Sequence, residues 1–126
     1  MLQKLLWLSI AGACGTVSRF TICELIAKAK SEHFFLGTFT VNILGSFLFG
    51  LIYVLAQRKI AVTPDMRLIL LTGFMGAFTT FSAVAFDSAR LLKSSQYMMA
   101  FGNMFGQTAL GVLALVGGVL LGRVLL

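Results

Sequence analysis

The chain has 126 residues, of which 59% are hydrophobic and 11% charged, with a formal net charge of +6. Soluble domains carry about a quarter charged residues, so a soluble fold would have no polar surface to present here. A Walker motif, a GxGxxG fingerprint, a metal-ligand cluster and a catalytic triad are all missing from the sequence, which argues against an enzyme.

Four apolar runs of membrane-spanning length follow in order, at about 5–27, 36–56, 68–92 and 98–119 or beyond. Together they predict one all-α transmembrane domain over residues 1–126. Most of the charge falls in the breaks. Lys28, Lys30, Glu32 and His33 fill the first; Arg58, Lys59, Asp65 and Arg67 surround Pro64, the single proline; Arg90, Lys93 and the turn Ser94-Ser95-Gln96 make the third. Basic residues at helix ends suit anionic lipid headgroups, not nucleic acid.

The first run follows Lys4 and contains Ala11-Gly12-Ala13, as a signal peptide could. It continues well past that point, so a retained helix is expected. Cys14 and Cys23 lie about 13 Å apart along such a helix and cannot pair with each other. Arg19 is free to snorkel or to pair with Glu24. His33 is a lone loop histidine without metal-site partners.

In the second run Thr38, Asn42 and Ser46 recur every four residues and share one helix face. In the fourth, Asn103, Gln107 and Gly111 do the same. Gly102 and Gly106, and again Gly118 and Gly122, have the GxxxG spacing of close helix contacts. Polar groups inside a span face protein or water. Interhelical hydrogen bonding explains any one of them; two stripes together point to a pathway. Amides and hydroxyls donate to anions, and phenylalanine edges carry the positive part of the ring quadrupole. Asn42, Thr79, Thr80, Phe81 and Ser82 therefore suit a small anion.

The third run contains GFMGAFTTFS at residues 73–82. Gly73 and Gly76 weaken a helix, and Thr79-Thr80 can satisfy freed backbone groups. A broken membrane helix is tolerated where protein buries it or where it lines a wet cavity, and its carbonyls suit a cation such as Na⁺. An intact helix with small packing residues is the alternative at this point.

Four spans put both termini on one side. That side receives Lys4, Arg58, Lys59, Arg67 and Arg123; the other receives Lys28, Lys30, Arg90 and Lys93. So small a bias lets a chain insert both ways. Two opposed copies would then form an antiparallel dimer, the symmetry larger transporters build with inverted repeats.

GTFTVNILGS at residues 37–46 and GFMGAFTTFS at 73–82, with Gly15 and Arg19 before them, resemble the Fluc (CrcB) fluoride channels over essentially the whole chain. The resemblance implies passive, selective fluoride export across the bacterial inner membrane. It implies an antiparallel dual-topology homodimer with two pores, and a third helix broken at the membrane centre. A structural Na⁺ would be held there by the Gly76 and Thr79 carbonyls, two from each subunit. Asn42 would donate to fluoride and Phe81 would present its ring edge. Thr38, Thr80, Ser82, Asn103 and Gln107 would fall on the polar pathway. The chain departs from the family pattern at Val84, where a second phenylalanine is usual, so the facing aromatic box is either incomplete or completed by Phe78 or Phe86. It also departs at Ala77 in the glycine pair, and at Asn103 and Gln107, where tyrosine and serine are frequent. A small proton-coupled multidrug exporter is the rival reading. Its deep carboxylate has one candidate in the first span, Glu24, near the helix end beside Lys28.

Overall fold

The computed structural model describes residues 1–30, 32–58 and 62–125. Lys59 of the charge balance and the Arg58 side chain lie outside the described residues.

Four helices are long and apolar enough to cross a membrane. The first, α1 (Leu2–Ala29), has 28 residues and a length of about 42 Å. Its ends carry Lys4 and Lys28; the face holding Leu8, Ala11, Gly15 and Ile22 packs on the protein, and the remaining apolar residues face outward, as lipid allows. Lys4 pairs with Asp65 at 2.6 Å, the single ion pair among the described residues. Arg19 thus forms no ion pair with Glu24.

The second, α2 (Leu36–Arg58), packs chiefly on the last, α6 (Tyr97–Val124). Glycine sets this approach. A Cβ at Gly118 would run into the Phe47 carbonyl, and one at Gly50 into the Leu115 carbonyl. Gly122 faces Val54 in the same seam. The contacts keep one parallel register: Asn42 meets Gln107, Ser46 meets Gly111 and Gly50 meets Leu115. The second GxxxG pair is therefore spent inside the subunit, whereas nothing lies within 4 Å of a Cβ built at Gly102.

The third span, Pro64–Lys93, is assembled from pieces. Thr63 caps α3 (Pro64–Leu68), its Oγ1 accepting the Met66 N–H at 3.2 Å, with proline at the first helical position. Ile69–Met75 winds as a π-helix, followed by α4 (Gly76–Phe78). The wider turn lies against α1, where Gly15 leaves no room for a Cβ beside the Phe74 carbonyl and Gly73 faces Ala11. Thr79 and Thr80 are extended, at φ −89°, ψ 157° and φ −152°, ψ 124°. Helix then resumes as α5 (Phe81–Lys93).

α5 ends in a tight reversal. Ser95 is left-handed at φ 60°, its N–H bonding Leu92 and the Gln96 N–H bonding Leu91. Val41, Met75 and Phe78 form the apolar core, with Phe74 stacked on Phe78 at a centroid distance of 6.0 Å. Phe78 is consequently a packing residue of this core. Phe86 is exposed, near the Arg90 guanidinium, which lies 3.9 Å over the Phe34 ring.

Candidate functional site

The two extended threonines interrupt the helical pairing, and side-chain oxygens take over two of the N–H groups. In a continuous helix the Thr80 N–H would bond the Gly76 carbonyl and the Ala83 N–H would bond the Thr79 carbonyl. The Thr80 N–H instead donates to Asn42 Oδ1 at 2.8 Å. The Ala83 N–H donates to Thr80 Oγ1 at 3.3 Å, capping α5. The Gly76 and Thr79 carbonyls thereby lose their helical donors. Oxygens at a helix C-terminus carry partial negative charge, so this donor set fits a hard monovalent cation. Gly76 is exposed at the subunit surface, where such a carbonyl is accessible.

On the other side of the break the polarity reverses. The α5 N-terminus presents N–H groups and the positive end of its dipole. It borders an open cavity of about 310 Å³ lined by Asn42, Ser46, Thr79, Thr80, Phe81 and Gln107, with Val84, Ala85, Met104 and Thr108. Phe81 lies at its rim, 83% exposed. The Ser82 hydroxyl is 3.1 Å from that of Thr80.

From the break a file of side chains runs into the subunit. Asn42 Nδ2 donates to the Thr80 carbonyl at 3.0 Å and to Gln107 Oε1 at 2.7 Å. Gln107 Nε2 donates to Asn103 Oδ1 at 2.7 Å, and Asn103 Nδ2 to Ser88 Oγ at 3.0 Å. The direction is dictated by the backbone. A peptide N–H can only donate, so Asn42 must offer it the oxygen. Its nitrogen then faces Gln107, which must answer with oxygen, and the order passes along to Ser88.

The structure thus brings Asn42, Thr80, Asn103 and Gln107 into one hydrogen-bonded file, with Ser82 and Phe81 beside its mouth. Thr38 is buried but stands apart from the file, its hydroxyl against Asp87. Two residues were missed in the sequence reading. Ser88 ends the file, and Asp87 is a buried carboxylate in the third span. An acid inside a membrane segment is itself a signal for Asp87. Ser88 lies two helical turns from Thr80 in the sequence, on the face of α5 that holds Val84 and Leu91.

Four apolar spans, the last three of which hold a file of amides and hydroxyls with a cavity at its mouth, define a multi-pass membrane protein with a polar interior. The chain belongs to the family described as CrcB-like protein, Camphor Resistance (CrcB), whose family model matches residues 6–119. Among its relatives is the Fluoride-specific ion channel FluC of Nitrosococcus oceani, 42% identical over 99% of this chain and all of that protein. The proteins of the same name in Maridesulfovibrio salexigens and Solidesulfovibrio magneticus are 41% identical over 98% of both chains, and 43% identical over 99% of this chain and all of that one. These relatives are named as channels, not enzymes, and the family match favours a channel over the exporter reading.

Proposed function

We propose that the chain is a fluoride-selective channel that lets fluoride leave the cytoplasm of a bacterial cell down its gradient. The observation that carries the reading is the convergence of the family-motif residues Asn42, Thr80 and Phe81, with Gln107, on one cavity. Full-length similarity to proteins named for fluoride specificity supports it. Fluoride is small and strongly hydrated, so a pathway must replace water with close donors. Asn42, the Thr80 and Ser82 hydroxyls and the first N–H groups of α5 are neutral donors that bind without trapping. The Phe81 ring edge adds positive potential at the mouth. Asn103 and Gln107 continue the polar pathway, and Thr38 beside Asp87 would add a separate polar stretch to it.

The working unit is an antiparallel dual-topology homodimer with two pores, the break in the third span lying near the membrane centre. The near-even division of basic residues supports opposed insertion. The Gly76 and Thr79 carbonyls of both copies would hold one structural Na⁺, whose charge offsets the cost of a nearby anion in low dielectric. Gly76 supports an axis at this point. A Cβ there would meet nothing in its own subunit nearer than the Leu71 carbonyl at 3.7 Å, so the subunit itself does not require glycine.

The test is efflux from proteoliposomes loaded with fluoride, with chloride as control. Rapid fluoride loss with chloride retained is expected. Equal loss of both ions, or retention of fluoride, overturns the reading.

A further inference from the structure

The amide file poses a difficulty for anion passage. Asn42 has two Nδ2 hydrogens, and both are engaged. One goes to the Thr80 carbonyl, on the same peptide segment whose N–H holds Asn42 Oδ1. That pair of bonds closes a ring with the backbone and is fixed. The other goes to Gln107 Oε1, on a flexible side chain with three rotatable bonds. Gln107 is 6% exposed and Asn103 and Ser88 are 1% exposed, so bulk water does not compete for these groups.

We propose that Gln107 is a displaceable acceptor. Its Oε1 occupies the position on Asn42 that an arriving anion must take, so fluoride entry and rotation of Gln107 are one exchange. The inference rests on the fluoride reading and deepens it, by naming the group that fluoride must displace. The exchange keeps both hydrogens of Asn42 engaged and frees Gln107 Oε1, a cost the stronger bond to the anion must offset. Asn42 keeps its bond to the Thr80 carbonyl and transfers its second hydrogen from an amide oxygen to an anion, and a charged acceptor is the stronger partner. Gln107 turns its oxygen away while Nε2 stays on Asn103 Oδ1. A weaker or larger anion gains less from the same exchange, so the neutral competitor also discriminates among anions. A side chain that only braced the break would be required at all fluoride concentrations. A displaceable acceptor instead sets how much fluoride is needed.

Two variants separate these roles. Gln107→Met keeps length and flexibility but offers Asn42 only a weak thioether acceptor. Its half-saturating fluoride concentration is expected to fall by roughly three- to tenfold, as removal of a competing state predicts. Gln107→Glu keeps an acceptor on Asn42. Asn103 accommodates it by reversing its amide, donating to the new carboxylate and accepting from the Ser88 hydroxyl. The charged acceptor holds Asn42 more firmly, so flux is expected to fall at least about tenfold. A Met variant with unchanged or raised half-saturation, or a Glu variant conducting as well as the unaltered protein, overturns the proposal. The unaltered protein supplies an independent check. In a sodium fluoride titration followed by NMR, the Asn42 and Gln107 side-chain amide signals should move together with one concentration dependence. Movement of Asn42 alone, or of neither, counts against the exchange. Absence of fluoride flux in the unaltered protein would instead sink the channel reading itself.

Discussion

Asn42 carries two tasks in one amide. It satisfies both polar groups of Thr80, and it hands a hydrogen to Gln107. Removing it in Asn42→Ala leaves the Thr80 N–H, its carbonyl and Gln107 Oε1 without their partner. An unsatisfied buried group costs about 1–3 kcal/mol, so a loss of about 2 kcal/mol or more is expected in thermal or denaturant unfolding in detergent. Efflux should fall as well. A charge-assisted hydrogen bond lost at the barrier is worth about 1.5–3 kcal/mol, or one to two decades in rate. Sequence reasoning assigned Asn42 neither of these tasks, only donation to an anion. The first follows from the extended backbone at Thr80, which a side-chain pattern does not encode. Flux unchanged in a folded Asn42→Ala protein would remove the residue from the pathway.

The helices place this amide, and glycine decides how well. Gly118 lets α6 touch the α2 backbone at Phe47, in the seam that also pairs Asn42 with Gln107. Gly118→Ala should push the helices apart at a cost of roughly 1–3 kcal/mol and lower fluoride flux with it. Gly102→Ala, with open space around its Cβ, should leave subunit stability unchanged; matched melting curves of the two variants make the comparison. Ser95 offers a change of opposite sign. It holds a left-handed φ of 60° in the turn after α5, a conformation that costs a residue with a Cβ roughly 1–2 kcal/mol. Ser95→Gly should recover up to about 1 kcal/mol as a higher melting temperature, with flux intact. The four spans were legible in the sequence because twenty-residue apolar runs have few alternatives, and their ends moved by only a few residues. The stripes on α2 and α6 were legible from their four-residue spacing. The GxxxG motifs were not separable, because 102/106 and 118/122 read alike and differ in what faces them. The π-helical turn over Ile69–Met75 left no mark that glycine content could distinguish from an ordinary weak helix. Ser88 was hidden because its role depends on which face of α5 meets Asn103, a matter of tertiary packing.

At the scale of the whole molecule, the decisive residue is one the subunit does not need. Gly76 is exposed, and the nearest obstacle to a side chain there is 3.7 Å away. Inside one copy, Gly76→Leu should therefore fold, with an unchanged far-UV CD spectrum. In the proposed dimer the same leucine would stand where two backbones meet around the shared cation, and small residues are what permit such meetings. The variant should elute as a monomer, lose fluoride flux and lose any dependence of its melting temperature on Na⁺. Thr79→Ser makes the control. It retains both the carbonyl and the hydroxyl that bonds the Met75 carbonyl at 3.0 Å, so dimer, flux and Na⁺ dependence should persist. Cross-linking in liposomes distinguishes the outcomes without detergent. A Gly76→Leu protein that still cross-links as a dimer and still passes fluoride would move the axis away from the break. The carbonyls of Gly76 and Thr79, stripped of their helical donors inside a membrane span, would then need another partner.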